Sequence, residues 1–303
     1  MLSADSAHRP ASSLSRAFGR CLIEARPSVQ LIFLLRFLTG AAVSGPGTVS
    51  PVEVLVGCLS WSCAMVGIYV FNGIADVSED RRNHKDRPIA SGALPPAAAL
   101  RWCAGLAAVA LAGGAFLDGT FLALVVVVLV LGYLYSAPGV ALKRTSAGAA
   151  ATALAGGAAT VAAGYQLGDG AHGLLEPAVV ILALSAWMGG VGALTKDYSD
   201  IAGDAEAGRR TLAVVFGRRR AGLVGAASAL LVAGSFLAAS LAWELTATTF
   251  PAFLMLGGAA ILAALAPGGG SAVTDRLPYR VFMWTQYAVT ISLLVEYSVH
   301  RAH

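Results

Sequence analysis

Nine long apolar stretches constrain this chain more than any other feature. They fall at about 29–48, 52–74, 97–117, 120–137, 146–166, 174–196, 221–241, 248–266 and 279–299. Each is close to the roughly 20 residues that a helix needs to cross a bilayer. Composition agrees, because 57% of the 303 residues are hydrophobic and only 13% are charged. A soluble chain of this length exposes far more charge. Backbone groups in lipid must be satisfied within the structure, and no stretch shows the alternation of a barrel strand. The expectation is an all-α polytopic membrane bundle of about nine transmembrane helices. Its surroundings are the lipid bilayer, and no nucleic-acid partner is expected.

Basic residues set the orientation. Arg9, Arg16, Arg20 and Arg26 precede the first stretch. Arg81, Arg82, Lys85 and Arg87 lie between the second and third, and Lys143 and Arg144 between the fourth and fifth. Lys196, Arg209, Arg210, Arg218, Arg219 and Arg220 surround the connection from sixth to seventh, and Arg276 and Arg280 the last. The alternate connections, near 49–51, 118–119, 167–173 and 242–247, hold neither Lys nor Arg. The positive-inside rule then puts the N-terminus in the cytoplasm and the C-terminus outside.

Residues 1–27 lack a continuous apolar core and a small-residue cleavage site, so they do not read as a cleavable signal. They read as a cytoplasmic N-terminal segment, partly disordered, with residues 14–25 as a short amphipathic helix on the membrane surface. The transmembrane domain is expected over 28–300. Cys21, Cys58, Cys63 and Cys103 have no C-x-x-C spacing and read as buried free thiols.

Charge concentrates in one place, "NGIADVSEDRRNHKDRP", residues 72–88. Asn72, Asp76 and Asp80 are spaced i, i+4, i+8 and share one helical face. The connection after the sixth stretch reads "TKDYSDIAGDAEAGRRT", with Asp197, Asp200 and Asp204 spaced i, i+3, i+7. A solvated helix end accounts for one such cluster. Two clusters, each helically phased and each followed by bases, point elsewhere. Acids near a membrane are costly unless paired or metal-bound. Oxygen donors alone favour a hard cation, and Mg2+ takes one or two carboxylates plus waters and phosphate oxygens. Acids to hold the metal and bases to take up leaving charge are what a metal–diphosphate complex requires.

These residues resemble the UbiA superfamily of intramembrane prenyltransferases. Its first signature, N-x-x-x-D-x-x-x-D, is matched by Asn72, Asp76 and Asp80, and "NHKDRPIASG" resembles the segment that follows. A second signature, K-D-x-x-D-x-x-G-D, is matched by Lys196, Asp197, Asp200, Gly203 and Asp204. "GRRTLAVVFG" and "YLYSAPGVALKR" resemble two further family stretches, so the likeness runs from about residue 25 to 299. It implies a nine-helix bundle around a central cavity, with a cytoplasmic cap over both Asp motifs. It implies Mg2+-dependent ionisation of an isoprenyl diphosphate.

Roles follow from that resemblance. Asn72, Asp76 and Asp80 are expected to form the first metal group, and Asp197, Asp200 and Asp204 the second. Asp76, Asp80, Asp197 and Asp200 are the catalytic candidates, and either Asp197 or Asp200 is open as the group that orients an acceptor. Arg87, Lys143 and Lys196 are the candidates for diphosphate contact. Asp86 stays open between ligand and cap partner. The allylic cation needs a dry, aromatic-lined pocket. Tyr69, Tyr133, Tyr135, Trp187 and Tyr198 sit near the right depth, each with helix packing as its alternative reading. Phe71 points to a different face from Asn72. Gln286 and Glu296 are intramembrane polar residues that fit hydrogen bonds to a neighbouring helix.

Two departures from the family pattern bear on the substrate. "TSAGAAATALAGG" has no Asn where many members carry one, and Gly139 replaces a second proline. The small-residue run over 145–164 fits either tight helix packing or a reshaped cavity. The leading expectation is transfer of a prenyl group to an aromatic or other small lipophilic acceptor. The alternative is a terpene cyclase that acts on a prenyl diphosphate without acceptor. A cation transporter is the remote third reading, disfavoured because the acids cluster on one side of the bilayer.

Overall fold

A computed structural model describes residues 10–45, 50–83, 85–168, 173–268 and 272–299. Residues 1–9, within the N-terminal segment expected to be partly disordered, and residues 300–303 lie outside them. Among the described residues the structure is helical, with one isolated bridge between Thr145 and Arg210.

The helices are α1 (Pro10–Glu24), α2 (Pro27–Val43), α3 (Pro51–Ala75), α4 (Val77–Arg82), α5 (Pro96–Leu117) and α6 (Gly119–Ser136). Next come α7 (Ser146–Tyr165), α8 (Leu175–Trp187), the short α9 (Ala193–Thr195) and α10 (Ile201–Glu206). The chain ends with α11 (Leu212–Ala242), α12 (Thr246–Leu265) and α13 (Ala272–Val299). Helices occupy all nine apolar stretches. Proline opens α2, α3 and α5, where its missing N–H costs nothing.

Length and composition alone do not confirm a count of nine spans. Among the described residues seven helical runs are long and apolar enough to cross a membrane: α3, α5, α6, α7, Leu175–Ser199, α11 and α12. The α2 helix is apolar but has 17 residues. The α13 helix has 28 residues, and Asp275, Arg276, Arg280 and Glu296 dilute its apolar character. The seventh stretch also begins earlier than expected, at Leu212, because α11 is two helices joined at Gly217 (φ 79°).

Three apolar clusters hold the bundle. One joins α8, α11, α12 and α13 around Trp187, Phe236, Met255 and Phe282. A second joins α2, α3, α6 and α7 around Phe37, Trp61 and Phe121. The third ties α1 to α3 and α5 through Cys21, Val70, Ile89 and Leu106. The outward face is apolar too, with Leu59, Phe116, Leu182, Leu231 and Phe253 exposed, as a lipid-facing surface requires.

The small residues of α7 have a packing explanation. A Cβ on Gly164 would collide with the carbonyl oxygen of Phe37, and one on Gly40 with that of Val161. The α2 and α7 backbones therefore touch directly, the close approach that small residues permit. Arg36 of α2 is fully buried in this region. It donates to Leu184 O at 2.8 Å and to Gln286 Oε1 at 3.1 Å, and so ties three helices together.

The amphipathic helix expected at 14–25 is α1, which begins earlier, at Pro10. It is more embedded than a surface helix, because Cys21, Glu24 and Ala25 are buried. All four cysteines are free, three of them only partly buried.

Candidate active site

The first acid motif straddles a break in the helix. The α3 helix ends at Ala75, Asp76 is a junction residue and α4 follows. The hydrogen bonds nonetheless keep helical spacing, with Asp76 N to Asn72 O at 2.9 Å and Asp80 N to Asp76 O at 2.8 Å. The three side chains therefore keep the common face that their spacing implies.

The second motif reaches the same result less regularly. After α8 the chain widens into a π turn at Met188–Gly192, passes through α9 and tightens to a 3-10 turn at Lys196–Ser199. Asp200 N bonds to Asp197 O at 3.3 Å and Asp204 N to Asp200 O at 2.8 Å. One short step and one α step carry the acids, so a continuous helix is not needed. The α10 helix then packs on the first motif at Gly203, where a Cβ would collide with the Asn83 amide.

Basic side chains stitch the two motifs together. Lys143 Nζ donates to Asp76 Oδ1 at 2.6 Å and to Asn72 Oδ1 at 2.9 Å. Ser136 Oγ donates to the same Asn72 oxygen at 2.8 Å. Arg87 Nη1 donates to Asp80 Oδ2 at 2.6 Å. Lys85 crosses to the second motif and pairs with Asp200 Oδ2 at 2.8 Å. Arg209 crosses the other way: it pairs with Glu79, lies 3.4 Å from Asp76 Oδ1 and 3.5 Å from Asp204 Oδ1. Arg210 N bonds to Arg144 O at 2.7 Å, which fastens the Lys143 segment beside the Arg209 segment.

Charge is unevenly satisfied among the acids. Burial pushes the Asp76 carboxyl up, but Lys143 and Arg209 outweigh burial and hold it below the usual carboxylate range. Burial is likewise outweighed at Asp200, by the hydrogen bond and charge of Lys85. Burial prevails at Asp80 despite Arg87, and pushes Asp204 up to about 6 despite Arg209. Asp197 Oδ2 and Asp204 Oδ2 are buried and have no hydrogen-bond partner. Buried carboxylate oxygens short of positive charge are what a divalent cation relieves. Among the described residues no three His, Cys, Asp or Glu side chains gather closely enough to hold a metal ion by themselves. Mg2+ takes few carboxylates and completes its shell with water and phosphate oxygens. The donor set fits such an ion.

The aromatic candidates divide. Tyr135 accepts a hydrogen bond from Lys196 Nζ at 2.7 Å, beside Asp197. Tyr69 lies within electrostatic reach of Arg26, Tyr279, Tyr135 and Lys196. The other three have packing partners. Trp187 is buried in the core, stacked on Phe282 with ring centroids 6.2 Å apart. Tyr198 is buried, donates to Ala221 O at 2.8 Å and carries Arg218 over its ring. Tyr133 is exposed and stacks on Phe71, on the face turned away from Asn72. Depth in the membrane was the only ground for these three, and depth does not fix direction. Asp86 is exposed. Sequence reasoning left Arg209, Lys85, Ser136, Glu79 and Tyr279 without roles. A groove of about 360 Å³ between the starts of α7 and α11 is lined by Thr145, Leu194, Arg210 and Phe216, and contains none of the acids.

The fold and the site define a multi-pass membrane protein with two carboxylate motifs gathered at one mouth of a helical bundle. It belongs to the UbiA prenyltransferase family, whose model matches residues 33–288. Digeranylgeranylglyceryl phosphate synthase of Halobacterium salinarum is 32% identical over 280 residues, 85% of this chain and 93% of that one. Homogentisate phytyltransferase of Synechocystis is 32% identical over 248 residues, 78% of each chain. A solved structure of a UbiA homolog from Archaeoglobus fulgidus, bound to GPP and Mg2+, superposes with a TM-score of 0.68 at 19% identity, covering 90% of this chain and 99% of that one.

Proposed function

We propose that this protein is a Mg2+-dependent intramembrane prenyltransferase that ionises an isoprenyl diphosphate and passes the prenyl group to a small lipophilic acceptor. The observation that carries the reading is the pair of cross-links, Lys85 to Asp200 and Arg209 to Asp76, the latter joining residues 133 apart in sequence. Together they draw both acid motifs to one mouth. The GPP and Mg2+ held by the Archaeoglobus homolog support the donor and the metal. The relatives' names support transfer, and they differ in acceptor.

In this reading Asn72, Asp76 and Asp80 hold one metal group and Asp197, Asp200 and Asp204 the other. When bound, Mg2+ supplies Lewis-acid charge at the phosphate oxygens. Lys143, Arg87, Lys196, Lys85 and Arg209 counter the negative charge that develops as diphosphate departs with the bonding electrons. Tyr69, Tyr135 and Tyr279 are the rings that meet the allylic cation in this reading, with Arg26 now over Tyr69 and Lys196 over Tyr135. The acceptor forms the new bond and gives up a proton, which Asp200 or Asp197 takes.

Carbon fate separates transfer from cyclisation. Purified protein with Mg2+ and geranyl, farnesyl or geranylgeranyl diphosphate, but no acceptor, is expected to give only slow hydrolysis to the linear alcohol. Efficient release of cyclic hydrocarbons or cyclic alcohols would overturn the transferase reading in favour of a cyclase. The same reading puts the acid motifs and segment 1–27 in the cytoplasm, with 28–300 as the catalytic domain and the C-terminus outside. A reporter inserted within 205–208 is expected to be cytoplasmic and one after His303 extracytoplasmic. Both on one side would contradict this arrangement.

A further inference from the structure

Glu24 touches both flanks of the first acid motif, and the proposed reaction gives it no part. It closes α1 and is 2% exposed. Its Oε2 accepts from the backbone N–H of Ile89 at 2.9 Å, two residues past Arg87. Its Oε1 is buried with no hydrogen-bond partner. That oxygen packs onto Gly73, next to Asn72, where a Cβ would collide with it. A buried carboxylate with a bare oxygen is costly to keep. The charges of Arg87 and Glu24 act on each other, while Arg87 itself donates to Asp80.

We propose that Glu24 is a positioning residue, a second carboxylate for Arg87 that receives its guanidinium when Asp80 turns to a metal ion. The inference rests on the reading of Asp80 as a metal ligand. A cation that takes Asp80 Oδ2 displaces the Arg87 N–H from it. A guanidinium released beside a divalent cation is repelled by it, and in a buried site it needs an acid until diphosphate arrives. Glu24 is within reach of its charge, already dehydrated, and has one oxygen to spare. The other oxygen stays on Ile89, so the segment that carries Arg87 keeps its anchor. Without that acid, Arg87 remains on Asp80 and competes with the metal.

Glu24→Gln separates this role from simple anchoring. The amide keeps the shape and an acceptor for Ile89 N–H but has no charge. Mg2+ affinity of the purified full-length protein is read from the rise in thermal midpoint as Mg2+ alone is titrated. In E24Q the apparent affinity is expected to fall about tenfold. Turnover at saturating Mg2+ is expected to stay within about twofold of wild type, because Glu24 does not touch the reacting atoms. In an Arg87→Met background, E24Q is expected to add nothing, since no guanidinium remains to be received. Wild-type Mg2+ affinity in E24Q, with Asp76→Asn defective, would overturn the role of Glu24 alone. An undiminished tenfold loss in the Arg87→Met background would overturn it as well. Wild-type affinity in Asp76→Asn would bring down the metal reading and this inference together.

Discussion

Asp76→Asn is expected to lower turnover about a thousandfold while the protein stays folded in the membrane. Losing several kcal/mol of metal-borne charge stabilisation corresponds to that factor. Asp76 sits where Lys143 and Arg209 meet the first motif, at 2.6 and 3.4 Å. The amide fills the same space and still accepts a hydrogen bond, but it cannot offer a charged oxygen to a metal. Neither base is stranded by the change. Lys143 keeps Asn72 Oδ1 at 2.9 Å, and Arg209 keeps Glu79 and Asp204. Stability therefore falls far less than activity. Steady-state assays with thermal unfolding of the same preparation check this. Activity within threefold of wild type would remove Asp76 from the site.

Gly164→Ala is expected to be the most damaging single methyl addition in α7, at about 3 kcal/mol or more. The new Cβ meets the Phe37 carbonyl oxygen and lies 2.8 Å from Ala41 N, both backbone atoms that have no rotamer to move to. The α2–α7 contact must open, and with it the second apolar cluster, which holds Phe37 against Trp61 and Phe121. Gly156, on the same helix, has nothing within 4 Å of its would-be Cβ. Gly156→Ala should be neutral or slightly stabilising, because alanine favours the helix. The yield of monodisperse protein in mild detergent and its thermal midpoint check both variants. Equal behaviour would mean that the small residues of α7 do not serve close packing.

The helices were legible because apolar length is a direct physical requirement of a bilayer. The acid motifs were legible for a second reason. Spacings of three and four survive when a helix breaks, provided the local hydrogen bonds keep those steps, as they do at Asp76 and Asp200. Pairings across the mouth were not legible. Several bases share that side of the bundle, and nothing local distinguishes Arg209 from Arg210 or Lys85 from Arg82. Only the fold sends Arg209 toward Glu79 and Asp76. Side-chain direction was not legible for the aromatic candidates, least of all for Tyr198. The π turn at Met188–Gly192 shifts the faces that follow it, and a regular period cannot anticipate that shift. Arg36 had a readable signal, a charge inside an apolar stretch, which marks an intramembrane residue with obligatory partners. Its partners, Leu184 and Gln286, lie on helices distant in sequence.

In the proposed reaction both acid motifs act together on a metal–diphosphate complex. Diphosphate release from a labelled isoprenyl diphosphate by the purified protein in lipid vesicles, with Mg2+ or with EDTA and with candidate acceptors present, tests this. Release with Mg2+ is expected, matched mole for mole by prenylated acceptor. Both are expected to be lost with EDTA, and in either Asp76→Asn or Asp197→Asn alone. Undiminished release in EDTA, or full activity with one motif disabled, would contradict it.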